Sequence, residues 1–289
     1  MVAAGCSAVE RWRAIVRRRA AQMDAAYAAL GRTSADFWDR RAASFHRATS
    51  GTAERDPLYA RLLEVIRPET VLLDVGAGTG RFALALAPRA GRVVAVEPNA
   101  TMRSFLERAA VERGLRNVEV VPLRWEEVPD DLQADVVLCS HVLYPIEDVE
   151  PFLRKLDRAT RACCFVTMRA LHPDTLLSPI WERFHGEPRH APPTAIAALD
   201  VLAEMGIFAD VEVVGVPSTW RYASLDEAVE EHLESLILPD TPAVRAELRR
   251  LLAAFLVERE GALTLPVERL PTAIIRWGPA HRFAAFFAS

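Results

Sequence analysis

The residues most able to do chemistry are an acid and three glycines spaced two apart. Asp74 ends an apolar run that begins at Val71, and Gly76, Gly78 and Gly80 follow it. A short apolar run with β-branched residues is typical of a buried parallel strand. Glycines between a strand and a helix let a ligand approach backbone N–H groups, and a helix N-terminus favours negative charge. The stretch therefore predicts a site for a nucleotide-like molecule.

The glycine spacing excludes two common nucleotide loops. A dinucleotide fingerprint requires G-x-G-x-x-G, and Arg81 stands where its third glycine would be. A P-loop is excluded because no Gly-Lys-Ser/Thr follows. Glu97 closes the next apolar run. An acid at the end of a second strand can accept hydrogen bonds from both ribose hydroxyls, although a helix cap is the alternative role.

The pattern Asp74-x-Gly76-x-Gly78-x-Gly80 with Glu97 resembles the cofactor site of class I S-adenosylmethionine-dependent methyltransferases, over residues 57–170. The resemblance implies S-adenosylmethionine as methyl donor and S-adenosylhomocysteine as product. It implies that the loop closes over the methionine part, that Asp74 opposes the ammonium and sulfonium, and that Glu97 binds the ribose. The cofactor-binding residues expected are Asp74, Gly76, Ala77, Gly78, Thr79, Gly80, Glu97, Pro98, Met102, Trp125, Glu126 and Ser140.

Adenine recognition in that family usually follows the third strand. This chain has Leu123-Arg124-Trp125-Glu126-Glu127 there and lacks the common Gly-Asp pair. We expect Trp125 to stack on the purine and Glu126 to accept from its exocyclic amine. Met102 is a candidate for the other face of the ring. For Trp125 and Met102, ordinary packing is the alternative.

His141 and Tyr144 are the candidate catalytic residues. They follow the fourth strand, at the sheet edge where open α/β sheets bind ligands. His141 could act as a general base near neutral pH, or it could only hold the strand ends together. The Asn-Pro-Pro-Tyr signature of amide and exocyclic-amine methyltransferases is missing from this place. Methyl transfer chiefly requires alignment and exclusion of water, so a base is optional.

A dense polar cluster lies in the proline-rich stretch 171–193. His185, Glu187 and Arg189 are candidate acceptor-binding residues, with Arg189 suited to a carboxylate or phosphate. A solvent-exposed loop is the alternative. The spacing of the histidines is poor for a metal site, so we expect no metal.

Alternating strands and helices from residue 57 onward predict an α/β fold. We expect a doubly wound, Rossmann-like seven-strand methyltransferase sheet, with N-terminal helices and a helical insertion before the last strand. The last strand should be antiparallel beside the fifth, as the resemblance implies. The strands are predicted at 71–74, 92–97, 118–121, 135–140, 163–167, 211–216 and 272–277. The main helices outside the sheet core are predicted at 8–30, 195–205, 224–236 and 242–258.

Two domains are expected. Residues 1–56 form an N-terminal helical cap, in which Phe37, Trp38 and Phe45 would cover the cofactor or merely pack. Residues 57–289 form the methyltransferase domain. This domain is divided into a cofactor half at 57–170, acceptor-side additions at 171–271 and the last strand at 272–277.

Charge and composition limit the classes of binding partner that the sequence favours. The net charge of −4 gives no general attraction to nucleic acid or membranes. The basic residues Arg11, Arg13, Arg17 and Arg18 predict a solvated helix face, with an RNA or anion contact as alternative. No apolar run approaches the roughly 18 residues of a membrane span. The cysteines form no C-x-x-C pair, which favours a reducing cytoplasm.

We therefore expect a cytoplasmic methyltransferase, monomeric or homodimeric, that acts on a small molecule without nucleic-acid or membrane partners. The acceptor atom, O, N or S, is left open. The alternatives are an RNA or protein methyltransferase and a non-catalytic S-adenosylmethionine-binding module, because cofactor binding does not prove turnover.

Overall fold

A seven-stranded sheet forms the centre of the molecule. The computed structural model describes residues 6–282. Its strands are β1 (Val71–Val75), β2 (Arg92–Val96), β3 (Val118–Val121), β4 (Ala134–Ser140), β5 (Thr160–Arg169), β6 (Asp210–Pro217) and β10 (Arg269–Trp277). The order is β3-β2-β1-β4-β5-β10-β6. The first five strands are parallel, and β10 is antiparallel to both β5 and β6. The predicted sheet and its antiparallel last strand are confirmed.

Helices surround the sheet and extend beyond it. They are α1 (Ala8–Ala29), α2 (Phe37–Thr49), α3 (Pro57–Leu63), α4 (Ala83–Leu86), α5 (Ala100–Glu112), α6 (Val149–Ala159), α7 (Pro173–Leu176), α8 (Ser178–His185), α9 (Ala195–Glu204), α10 (Leu225–Ser235) and α11 (Pro242–Phe255). Among residues 6–282, no helix is long and apolar enough to cross a membrane.

One predicted boundary is wrong. The helix expected to reach residue 258 ends at Phe255, because Val257–Arg259 forms a strand. This strand, β8, pairs with β9 (Ala262–Thr264), which also pairs with β7 (Arg221–Tyr222). Strands of two or three residues are too short to show an alternating pattern, so the sequence carries no signal for this second sheet.

The hydrophobic core has three parts, and α1 joins two of them. Trp12 packs with the residues on one face of the central sheet, and its indole N–H donates to the carbonyl of Ile146 at 2.7 Å. The other face packs against α3, α4 and α5. Tyr27, near the other end of α1, belongs to a third cluster with Trp181 of α8 and Leu236. The first helix therefore connects the sheet to the additions between β5 and β10.

Candidate cofactor and acceptor site

The three loop glycines serve different purposes. Gly76 has φ +73°, and a Cβ placed there would lie 2.4 Å from Cγ2 of Val142, so a side chain would push the loop away from the end of β4. Gly80 is similarly enclosed by Leu84. At Gly78, by contrast, the nearest atom to such a Cβ is Cε1 of Phe45 at 3.8 Å. Protein packing thus accounts for two of the glycines, and Gly78 lies on the more open side. Ala77 and Thr79 between them are buried.

Glu97 ties this loop to the next helix. Its Oε2 accepts the N–H of Gly78 at 2.8 Å, and its Oε1 accepts the N–H of Asn99 at 2.9 Å. The Asn99 side chain in turn accepts the N–H of Met102 and caps α5. Burial raises the pKa of Glu97, while the two backbone hydrogen bonds oppose the shift. The carboxylate is therefore held in a fixed orientation beside Gly78.

Asp74 is buried within β1, next to the strand's carboxyl end. Burial raises its pKa to about 7, a hydrogen bond from the backbone of Ala83 opposes this, and the charge of Glu97 raises it further. Within residues 6–282, no basic side chain forms an ion pair with Asp74. A cationic ligand group would therefore find an acid here without a competing protein partner.

Helix α2 lies across the start of α5. Asp39 accepts hydrogen bonds from Nδ2 of Asn99 at 2.9 Å and from Oγ1 of Thr101 at 2.7 Å. The ring of His46 stacks on Phe105, with centroids 4.6 Å apart. Together with the approach of Phe45 to Gly78, these contacts hold α2 over the glycine loop.

Of the adenine candidates, Trp125 packs inside the protein and does not present a ring face at the surface. Its indole is buried, packs edge-on against Phe152 and has its Nε1 3.4 Å from the Phe152 carbonyl. The ammonium of Lys155 lies 5.2 Å from the ring centroid. The hydrophobic driving force of packing against α6 is the physical reason for this correction. Met102 is also buried, whereas Pro98 and Glu126 are exposed.

The two candidate catalytic residues are brought together directly after β4. Nδ1 of His141 lies 3.0 Å from the hydroxyl of Tyr144, which also accepts the backbone N–H of Arg169 at 2.7 Å. His141 has φ +61° and donates its backbone N–H to Thr167 at 2.9 Å. Burial, helped by the charges of Arg169 and Arg81, holds the pKa of His141 well below its usual range. Burial also raises the pKa of Tyr144 to about 12, so both side chains are neutral at pH 7.

Ser140, a cofactor candidate, has its hydroxyl 2.9 Å from that of Thr167. It joins the ends of β4 and β5.

Sequence reasoning missed the residues that follow β5. The ring of Tyr144 meets His172 edge-on at 5.0 Å, and Nδ1 of His172 lies 3.8 Å from Asp174. Asp174 then forms an ion pair with Arg189 at 3.2 Å. We call this series, His141–Tyr144–His172–Asp174–Arg189, the polar path. Its only signal in the sequence is that residues 169–174 directly follow a strand, where ligands bind in open sheets.

The three candidate acceptor-binding residues separate in the structure. Nε2 of His185 donates to the carbonyl of Leu236 at 2.9 Å, and its ring stacks on Trp181. Glu187 is exposed and accepts from Gln22 of α1 at 2.8 Å. These contacts hold α8 and the residues after it against α1 and the end of α10, which gives both side chains a structural role. Arg189 alone belongs to the polar path, and it is buried rather than on a loop surface.

Comparison with known proteins agrees with this arrangement. A family model described as a methyltransferase domain matches residues 73–163. Ribosomal RNA small subunit methyltransferase G of Nitrosospira multiformis is 30% identical over 155 residues, 48% of this chain and 71% of that protein. The uncharacterized methyltransferase YcgJ of Bacillus subtilis is 29% identical over 96 residues, 33% of this chain and 38% of that protein.

Other curated relatives are covered only in part: the chain spans between 11% and 48% of their length. The crystal structure of B. subtilis YcgJ is similar in fold, with a TM-score of 0.51 at 16% sequence identity. That similarity covers 80% of this chain and 97% of YcgJ. With the acid, glycine loop and second-strand acid on a seven-stranded sheet, these matches show that the chain belongs to the class I methyltransferases, whose cofactor is S-adenosylmethionine.

Proposed function

We propose that this protein transfers a methyl group from S-adenosylmethionine to a small molecule bound beside the polar path. The observation that carries the proposal is the contact series from His141 to Arg189, whose first four residues are half-buried and whose last is buried. It begins next to Val142, which touches the glycine loop, and it leads into the additions at 171–271. A recessed series of polar side chains of this length suits a small acceptor better than a macromolecule.

The residues of the glycine loop fit the cofactor. Each oxygen of Glu97 accepts one backbone N–H and keeps a second lone pair, so the carboxylate can still accept from two ribose hydroxyls. Asp74 opposes the ammonium and sulfonium, and no basic side chain within residues 6–282 competes for it. Gly78 gives the methionine part access to the backbone, and α2 covers it. Pro98 and Glu126 at the exposed rim remain candidates for the adenine side, while residues 57–170 form the cofactor half.

S-adenosylmethionine supplies an activated methyl group on a sulfonium, so the chain's task is to align the acceptor and exclude water. The imidazole of His141 is neutral at pH 7. When Nδ1 donates to the Tyr144 hydroxyl, Nε2 keeps its lone pair and can accept a hydrogen bond from the acceptor. Because its pKa is lowered, His141 is a weak base and suits an acceptor that loses its proton readily. Tyr144 then acts as the group that fixes the ring.

The relative that methylates ribosomal RNA makes RNA the second candidate acceptor. The charges of α1 favour the small molecule. Arg11 pairs with Asp200 at 3.4 Å. Arg13 and Arg17 pair with acids on the segment before α6. The basic face predicted from the sequence is thus largely balanced within the protein, and the whole chain is acidic.

We also propose a cytoplasmic location, because Cys139, Cys163 and Cys164 are buried free thiols. Free thiols of this kind persist in a reducing compartment.

Transfer of a labelled methyl group tests the acceptor class. The protein is incubated with methyl-labelled S-adenosylmethionine and an extract of its source cells, which is then separated by size. We expect label in the low-molecular-mass fraction, and much less of it with the Glu97→Ala variant at the same cofactor concentration. Label in RNA or protein would contradict the small-molecule acceptor, and no transfer to any fraction would favour a binding module without turnover.

A further inference from the structure

Arg189 has more donors than partners. Its side chain is only 3% exposed, and Nη2 donates to the carbonyl of Ser235 at 3.0 Å while pairing with Asp174. Nε and Nη1 are buried and have no hydrogen-bond partner among residues 6–282. The same holds for Nε1 of Trp181, whose ring centroid lies 4.8 Å from the Arg189 guanidinium. Buried donors without partners are costly, and each requires an explanation.

The positive and negative charges around Arg189 also do not balance. Asp174 receives two guanidinium groups, from Arg189 and from Arg19. Those cations hold the pKa of Asp174 well below its usual range, so it stays ionised. Burial lowers the pKa of Arg189 only to about 10, which leaves it charged at neutral pH. Two cations therefore share one anion in a buried place.

The other groups facing the cluster do not supply the missing negative charge. Burial lowers the pKa of His172 to about 4 and that of His232 to about 3, so both are neutral. Arg41 is already paired with Glu231. An isolated buried cation is expensive, and a second anion is the direct way to offset it.

The unpartnered donors of Arg189 lie at the far end of the polar path from His141. The polar path connects Arg189 to His141 beside the glycine loop. Trp181 and its neighbours Leu177 and Ile180 make the surroundings apolar. A molecule placed here would put its reactive end near His141 and its far end near Arg189.

We propose that the methyl acceptor is a carboxylic acid with an apolar body, and that its carboxylate binds the free N–H groups of Arg189. This inference rests on the proposed function and names its substrate class. Charge-assisted hydrogen bonds between a guanidinium and a carboxylate are among the stronger ones in proteins, and Trp181 Nε1 provides a further donor.

Calorimetric titration with benzoate tests the proposal. Benzamide is the uncharged control ligand, and the full chain is saturated with S-adenosylhomocysteine in both titrations. We expect benzoate to bind at least about tenfold more tightly than benzamide, since loss of a charged hydrogen bond costs about that much. Arg189→Gln should abolish the preference. Arg183→Gln is the control, because Arg183 is a largely exposed arginine of α8 paired with Glu247.

Arg189→Gln leaves Asp174 with one cation fewer and can unfold the protein, so two milder variants accompany it. Arg189→Lys keeps the charge but loses the planar set of donors, and Trp181→Phe keeps the ring but loses Nε1. Both should weaken benzoate severalfold while S-adenosylhomocysteine binds as before. Equal affinities for benzoate and benzamide, or a benzoate preference that the variants leave intact, would overturn the carboxylate assignment alone. Failure of S-adenosylhomocysteine to bind the wild-type protein would overturn the proposed function itself.

Discussion

Asp74 and Glu97 lie near the carboxyl ends of neighbouring strands, yet their surroundings prepare them for different partners. Glu97 is held by two backbone N–H groups, which favour its ionised form. Asp74 is more deeply buried and titrates near neutral pH in the absence of a cation. One acid is therefore oriented to accept hydrogen bonds, and the other becomes fully ionised when a positive group arrives.

Glu97→Ala should weaken S-adenosylhomocysteine binding by about 2–3 kcal/mol, the scale of losing charged hydrogen bonds. The variant also releases Gly78, so the loop loses a tether as well as a ribose partner. Glu119→Ala is the control, because Glu119 is exposed on β3 and pairs with Arg92. Calorimetry that found equal affinity in wild type and Glu97→Ala would remove Glu97 from the site.

Asp74→Asn should change how stability depends on pH. The folded pKa of about 7 lies above the ordinary value of 3.8, so the folded state holds this proton more tightly than the unfolded state. The stabilising contribution is complete below about pH 4 and is lost as pH rises through 7. Relative to the variant, the wild type should lose roughly 2–3 kcal/mol of unfolding free energy between pH 5 and pH 8. Urea unfolding at both pH values measures this, and parallel profiles would contradict it.

At the scale of elements, α2 is joined to the cofactor region by few polar contacts. Asp39 accepts two hydrogen bonds from residues at the start of α5, and neither bond is deeply buried. Such a connection can open and close without disturbing the sheet, which suits a cover over a ligand that must enter and leave.

Asp39→Ala should speed the release of S-adenosylhomocysteine severalfold, because the variant loses both solvent-exposed hydrogen bonds that hold α2 to the start of α5. Asp36→Ala is the matched control, since Asp36 is exposed just before α2 and lies 3.9 Å from Arg40. Stopped-flow release measured for both variants checks this. The same release rate in Asp39→Ala as in Asp36→Ala would mean that α2 does not act as a cover.

The elements of the sheet could be predicted because their signals are local. The glycine loop and the alternation of strands and helices lie in continuous stretches, and the predicted strands match the observed ones closely. The polar path could not be predicted, since the contacts of Tyr144 with His172 and of Asp174 with Arg189 form only through tertiary packing. Trp125 shows the same limit, because nothing in the sequence reveals that Phe152 will bury it.

At the scale of the whole molecule, we expect the additions around the sheet to determine which acceptor is methylated. The first helix packs on the sheet through Trp12 and on the additions through Tyr27, so it fixes one part against the other. The sheet is common to many methyltransferases, whereas the contacts around Arg189 depend on α1, α7, α8 and α10 together. We therefore expect acceptor specificity to depend on all four helices together.

Calorimetric titration of the full chain with S-adenosylhomocysteine and, separately, with NAD tests the central claim most directly. The glycine spacing and the orientation of Glu97 beside Gly78 predict one S-adenosylhomocysteine per chain and no binding of NAD. Binding of NAD without S-adenosylhomocysteine would contradict the account.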